Sequence, residues 1–533
     1  MSDRKIFAEE VIEILDLAGV KYVFGHPGEQ ILPIYEALRK SEIKHVLMRH
    51  EQGAAHAADG YARASGNFGV CIASAGPGAL NLTMGIATAY KDSVPLLVIT
   101  GDVTLESRGC NVFQEIDTTA VFKPITIMSS FIETPEEGVI KLKEALEKFR
   151  HGKTGPIHLS IPRDVLDKEI DVSKIKKDIP LQTSRESPYR YAETAAKLIE
   201  NSQKPLIIAG TGILWSNAVD KLINFANRYN IPVSTTYPAR GVFPIDNPLY
   251  LGMIGTRGTE KAIYAGINSD LIVALGTRLS ERTTKGIGRC QIIQVNLDEK
   301  SLKGNVNITG DVGSFLDSLG DLRVSDFRNW LDELDKYSTV YDLKSDFDNI
   351  PVKPQRAVKE ILDAAEDSVI VNDAGSHTTW VTLLQQIKEP ASCIFSGGFG
   401  PMGYAVPASV GVALAKTDKN VVVIVGDGGF QMTSQELATI KQLNLPVVIC
   451  LINNQSLGII KQWQNMNYGK TYEVELENPD FNKLAESYGI DSKRLNAPGE
   501  IYHMVKRALK MKKPYFIEVM VDADEEVPLP RMI

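Results

Sequence analysis

Short apolar runs recur along the chain, separated by helical patterns: GVCIASA, PLLVITG, PLIIAG, DLIVALG, QIIQVNL, SVIVNDAG, VVVIVGDGG and PVVICLINN. Each is bounded by glycine, proline or asparagine, and a run that is apolar nearly throughout belongs to a strand covered on both faces. Such strands run parallel and are joined by helices. The expected class is therefore α/β, with doubly wound parallel sheets. At 533 residues the chain exceeds one ordinary core, and three domains of about 150–200 residues each are expected. Polar, charge-rich stretches at Leu166–Arg190 and Ser325–Pro354 read as linkers. They leave a first domain at 1–165, a central one at 190–324 and a last one at 355–533.

The balance of charge narrows the function. A formal net charge of −8, with no basic stripe, argues against nucleic-acid binding and favours a small-molecule ligand. The opening MSDRKIFAEEVIEILDLAGV spreads charges through its apolar positions, as an amphipathic helix does and a signal peptide does not. No apolar run has the length of a membrane span. The five cysteines Cys71, Cys110, Cys290, Cys393 and Cys450 lie far apart without a CxxC pair, so neither a zinc site nor a disulfide framework is indicated and a reducing cytoplasm is expected.

One strand ends unusually. VVVIVG runs straight into Asp427, with Gly428 and Gly429 behind it, and the 24 residues 429–452, the last of them a second apolar run VVICLI, lead to Asn453 and Asn454. The helical stretch MTSQELATIKQLN lies between. A right-handed crossover brings the ends of neighbouring parallel strands to one edge, so Asp427 and Asn454 are expected to converge. A carboxylate and an amide oxygen there suit a hard cation such as magnesium, with coordination positions left for phosphate oxygens. Gly428 and Gly429 let backbone N–H groups approach those phosphates at a helix N-terminus. Taken singly, GDGG also reads as a turn and the asparagine pair as a strand-end cap.

Together, GDG followed by NN resembles the thiamine-diphosphate motif of thiamine-dependent enzymes. The resemblance implies magnesium held by Asp427, Asn454 and the backbone carbonyl of Ser456, with Gly426, Gly428, Gly429 and His377 around the diphosphate. That cofactor also needs a carboxylic acid facing its aminopyrimidine ring, and Glu51, opening the alanine-rich stretch EQGAAHAADGYARAS, is the candidate. RHEQGAAHAADGYARASG, SAGPGALNLTMGIATAYKDSVPLLVITGDV, SGGFGPMGYAVPASVG and the GDGGF-to-QWQ region closely resemble the large catalytic subunit of acetolactate (acetohydroxyacid) synthases, in order along nearly the whole chain.

The family resemblance implies a pyrimidine-binding domain first, a central Rossmann-like domain and a diphosphate-binding domain last. It also implies a homodimer or dimer of dimers in which Glu51 of one chain reaches the other's cofactor, and it admits a small regulatory subunit. Met402 in GPMGYA resembles the residue that wedges the cofactor into its bent shape. Phe113 and Gln114 in NVFQEID resemble the substrate-facing pair, and Trp463 and Arg282 resemble residues of the acceptor pocket. GTGILW with Gly210 and Gly212, LGMIGTRG, and GTRLSER with Arg278 resemble, in order and spacing, the segments that hold a structural FAD.

Two departures from the family matter. Glu29 and Gln30 stand where it usually has glycine and alanine, and related decarboxylases place an acid near Glu29 that protonates the enamine. The paired histidines on which those enzymes also rely are missing near Phe113 and Gln114. Ser376, beside His377, replaces a more usual glutamine. The expected activity is decarboxylation of pyruvate and ligation of the two-carbon unit to a second 2-oxoacid, as in branched-chain amino acid biosynthesis. The alternatives are a 2-oxoacid decarboxylase using Glu29, and a non-catalytic homologue.

Overall fold

The computed structural model describes residues 4–150, 154–171 and 191–529. Of these, residues up to 171, 347–378 and 394–526 form one compact unit, and 191–346, 379–393 and 527–529 form another. All eight apolar runs are strands. In the first unit, Leu96–Asp102, Pro156–Pro162 and Val447–Asn453 are buried at every residue, which is why their sequences do not alternate.

The first unit holds two six-stranded sheets. One is centred on Tyr22–Gly25, Gly69–Ala73, Leu96–Asp102 and Pro156–Pro162, neighbours in that order and all parallel. The other is centred on Val369–Asn372, Val421–Gly426, Val447–Asn453 and Tyr515–Met520, again all parallel. The second unit has a single six-stranded parallel sheet around Pro205–Ala209 and Leu271–Leu275.

Both expected linkers need comment. Of the first, 172–190 lies outside the described residues, while Glu169–Asp171 is a strand paired antiparallel with Arg4–Ile6. The second is not a linker throughout. Arg328–Leu334 is a helix whose Trp330 and Leu334, with Phe327 just before it, are buried in the second unit's core. Phe327, Trp330, Leu331 and Leu334 are spaced as one apolar stripe, which the surrounding charges disguise.

Inside the first unit the two sheets are bridged by a very close helix crossing. Glu51–Ser65 lies against Ala405–Ala415, and a Cβ on Gly411 would stand 1.8 Å from the Ala57 carbonyl oxygen. One on Gly60 would stand 2.3 Å from the Ala408 carbonyl oxygen. The alanines and glycines of both segments are therefore a requirement of distance. A buried polar network seals the end of this contact. Asp59 accepts from the Tyr404 hydroxyl and from Arg63 Nε, both at 2.6 Å. Arg63 also donates to Asp92 at 2.9 Å and to the Phe395 carbonyl at 3.1 Å.

Gly411→Ala should therefore force the two helices apart. Overpacking of this kind costs about 1–3 kcal/mol, so the thermal and urea midpoints should both fall. Unchanged midpoints would show that the crossing is not tightly packed.

Candidate active site

Asp427 is the first residue of the helix Asp427–Thr433 and follows directly on the strand Val421–Gly426. It is 1% exposed. Its carboxylate accepts from Asn478 Nδ2 at 2.7 Å and from the Gly428 amide at 3.0 Å. Burial pushes its carboxyl above the ordinary value, and the Asn478 and Gly428 donors only partly oppose this. A buried carboxylate without a cation is costly, so the position is suited to receiving one.

The next strand in the sheet ends beside it, Gly426 being in register with Ile452. Gln455 takes a left-handed conformation (φ 52°), which folds the chain back so that its amide also favours the charged form of Asp427. The two asparagines then separate in role. Asn453 is held inside the fold, donating to Glu518 at 2.7 Å and accepting from Asn478 at 3.0 Å. Asn454 accepts from the Ser456 amide at 3.3 Å. The Ser456 hydroxyl is buried without a partner.

On the other side of Asp427, Val369–Asn372 leads through Asp373 into the helix that carries His377. Burial pushes the His377 imidazole down to about 4, so it is neutral at neutral pH. Its Nε2 is buried and has no partner. Asp373 is also buried. Its carboxylate accepts from the amides of Ala374 (2.8 Å), Gly403 (2.9 Å) and Ala405 (2.8 Å), so it anchors the loop that carries Met402. Burial raises the Asp373 carboxyl to about 6 against those donors.

Met402 comes close to the glycine turn: a Cβ on Gly428 would lie 3.1 Å from Met402 Cε. A Cβ on Gly426 would lie 3.3 Å from His377 Nδ1, and one on Gly429 2.9 Å from Asp373 Oδ1. On Gly458 it would meet Asn454 Nδ2 at 2.7 Å and Ser376 Oγ at 3.0 Å. Gly426, Gly428, Gly429, His377, Met402, Asp427, Asn454 and Ser456 are thus gathered at one sheet edge. The helical stretch expected after the glycines is interrupted. Asp427–Thr433 gives way to a 3-10 turn at Ser434–Glu436 before Leu437–Gln442 resumes.

The first sheet collects a second group. Glu51 opens the helix Glu51–Ser65, with His50 as its N-cap. Its Oε2 accepts from Asn81 Nδ2 at 2.9 Å, and a Cβ on Gly78 would lie 3.2 Å from Oε1 and 3.6 Å from Ser74 Cβ. Ser74 faces the Glu29 loop as well, since a Cβ on Gly28 would lie 2.4 Å from Ser74 Cβ. Glu29 itself is exposed and paired with Arg163 at 3.1 Å. Gln114 has a left-handed backbone (φ 66°), and its carbonyl would be 2.5 Å from a Cβ on Gly76. The loop Ser74–Gly78 therefore neighbours Glu51, Gln114 and the Glu29 turn together. Phe113 is 82% exposed.

Trp463 lies on the helix Gly458–Tyr468 and is 54% exposed. In the second unit, Gly210 and Gly212 pack on Gly276, with Cβ positions 2.3 Å from its carbonyl oxygen and 2.5 Å from its Cα. Arg278 and Arg282 are exposed, and the Arg282 carbonyl accepts from the Thr256 amide at 2.8 Å.

Three site residues escaped the sequence reading. Asn478 stands 51 positions from Asp427 with no local mark. Glu436 looks like any helical glutamate. Asp373 did carry a signal, because it ends a strand and precedes alanine and glycine, much as Asp427 precedes its glycines.

Comparison with known proteins identifies the family of the chain. The model for the N-terminal TPP-binding domain of thiamine pyrophosphate enzymes matches residues 6–121, the central-domain model 192–319 and the C-terminal TPP-binding model 373–519. A probable acetolactate synthase large subunit of Methanocaldococcus jannaschii is 41% identical across 98% of this chain and 93% of its own length. The acetolactate synthase large subunit of Lactococcus lactis is 37% identical (97% and 92% covered), and that of Haemophilus influenzae 34% (98% and 95%). The chain belongs to the acetolactate synthase large-subunit family of thiamine pyrophosphate enzymes.

Proposed function

We propose that this chain decarboxylates pyruvate and joins the resulting two-carbon unit to a second 2-oxoacid, giving acetolactate or acetohydroxybutyrate. The observation that carries this reading is the edge around Asp427. There the buried Asp427 carboxylate and two buried polar atoms without partners, His377 Nε2 and Ser456 Oγ, flank a glycine turn. These groups fit a magnesium diphosphate.

Asp427, the Asn454 side chain and the Ser456 carbonyl hold Mg2+ by oxygen. Among the described residues no three His, Cys, Asp or Glu side chains gather as a metal cluster, and this set, with one carboxylate, does not call for one. Gly426, Gly428 and Gly429 keep side chains away from the diphosphate, beside which His377 stands. Met402, close to the glycine turn, would pack against the cofactor. Bound thiamine diphosphate supplies the nucleophilic carbon and the electron sink. Glu51, steadied by Asn81, holds and returns a proton at its carboxyl. Gln114 and Phe113 face the first substrate, while Trp463 and Arg282 receive the acceptor.

In the second unit, Arg240 is buried and its Nε and Nη2 have no partner. It follows the strand Val233–Thr235, whose neighbour Pro205–Ala209 runs into Gly210. A guanidinium placed there fits an anionic group. FAD bound by Gly210, Gly212 and Arg278 in a structural role is part of this proposal. So are a homodimer or dimer of dimers, a small regulatory partner of the kind that the relatives' name "large subunit" implies, and a cytoplasmic location. No helix among the described residues is long and apolar enough to cross a membrane.

The direct test is incubation of the protein with pyruvate, magnesium and thiamine diphosphate. Acetoin released on acidification reports acetolactate. Acetaldehyde alone would favour a decarboxylase, and no product would favour a non-catalytic homologue.

Glu51→Gln keeps the acid's shape without its proton. Turnover should fall by about 10²–10⁴ with cofactor binding retained, and near-normal turnover would remove Glu51 from the chemistry. Asp427→Ala should act through binding, so that the half-saturating concentrations of magnesium and thiamine diphosphate rise together. Unchanged values for both would sink the metal assignment.

Glu29 is the charge that sets this chain apart from its family. Its pairing with Arg163 offsets that charge in part, exposed pairs of this kind being worth about 0–1 kcal/mol. Glu29→Gly should raise the ratio of acetolactate to acetaldehyde made from pyruvate, and Glu29→Gln should raise it less. The same ratio in all three proteins would place Glu29 outside the chemistry.

A further inference from the structure

The carboxylate of Glu436 is fully buried (0% exposed) and has no part in the chemistry described above. It accepts from the Arg49 backbone amide at 3.1 and 3.2 Å, from the His50 amide at 3.1 Å and from the Thr439 hydroxyl at 2.9 Å. Arg49 and His50 are the two residues immediately before Glu51, and His50 is the N-cap of the helix that Glu51 begins. Backbone N–H groups at such a terminus have no partner within the helix, so an outside acceptor decides their direction.

Neighbouring contacts hold the same turn. Thr439 Oγ1, whose one proton is shared between Glu436 and the Leu47 carbonyl, lies 3.1 Å from that carbonyl, and Arg49 Nη2 donates to Gln442 Oε1 at 2.6 Å. Glu436, Thr439 and Gln442 are spaced three apart and grip Leu47–His50 from one face. Gly53 leaves the room: a Cβ there would lie 2.3 Å from Glu436 Oε1. Burial pushes the Glu436 carboxyl up, and the Arg49 amide, the Thr439 hydroxyl and the His50 amide oppose it. A charge kept in so dry a place for structural reasons alone is replaceable by an apolar group. One that orients a catalytic acid is not.

We propose that Glu436 is a positioning residue for Glu51: its carboxylate clamps the amides of Arg49 and His50 and so fixes where the Glu51 carboxyl stands, without touching substrate or cofactor. The proposal rests on the reading of Glu51 as the proton-carrying acid. It also makes one segment serve two tasks, because Asp427 and Glu436 lie at the two ends of the same short stretch, Asp427–Glu436.

Glu436→Gln keeps the size of the side chain but puts an NH2 against backbone N–H groups. In the full-length enzyme, kcat should fall by about 10²-fold, the scale of a misplacement near 1 Å. KM for pyruvate and the half-saturating magnesium and thiamine diphosphate should stay within twofold. Exchange of the C2 hydrogen of bound thiamine diphosphate, followed by NMR after acid quench, should slow by the same factor as kcat. In protein without cofactor, amide hydrogen exchange over 47–54 should speed up while that over 421–430 does not. A kcat within twofold of wild type, a loss shared equally by KM and cofactor affinity, or unchanged exchange over 47–54 would each overturn the proposal.

Thr439→Val removes one bond from the same carboxylate and serves if Glu436→Gln does not fold. It should lower kcat and C2 exchange severalfold in parallel, and unchanged C2 exchange would count against the clamp. An active Glu51→Gln enzyme would instead defeat the reading of Glu51, whatever the exchange over 47–54 reports about Glu436.

Discussion

The crossing of Glu51–Ser65 over Ala405–Ala415 is the constraint on which the rest of the first unit depends. Backbones that meet where Gly411 faces the Ala57 carbonyl admit no side chain between them, so both helices are reduced to alanine and glycine along the contact. Packing at this distance leaves little freedom to slide or tilt. The helix that begins with Glu51 is thereby fixed against the half of the chain that carries Met402 and Asp427. The network of Asp59, Arg63, Asp92 and Tyr404 closes the far end of the contact and pairs the charges there.

Three buried carboxylates divide the work at the edge of the last sheet. Asp373 is satisfied by three backbone amides and holds the Met402 loop. Glu436 is satisfied by two backbone amides and a hydroxyl and holds the approach to Glu51. Asp427 is met by the Asn478 amide and by backbone donors at the glycine turn. Burial raises all three. What separates them is the partner set, and it identifies Asp427 as the one suited to an added cation.

In the second unit the glycines Gly210, Gly212 and Gly276 meet one another, so their conservation of space serves the fold before any ligand. Arg240 is buried there with Nη1 donating to the Thr382 carbonyl, while its Nε and Nη2 find no partner.

Much was legible in the sequence because it is local. The eight strands follow from runs of apolar residues between turn formers, and the class follows from strands covered on both faces. Asp427 is legible because a charge at the end of such a strand, followed by two glycines, has few structural uses. Other features were decided only by tertiary structure. Asn453 and Asn454 are adjacent and identical, yet one bonds inward to Glu518 and Asn478 while the other is left at the site, which depends on what flanks the strand end. Asn478 reaches Asp427 from 51 residues away, and Glu436 reaches His50 from 386. The 3-10 turn at Ser434–Glu436 breaks a stretch whose composition is helical throughout. No periodicity records such contacts, since their partners are chosen by the packing of two sheets and the helices between them.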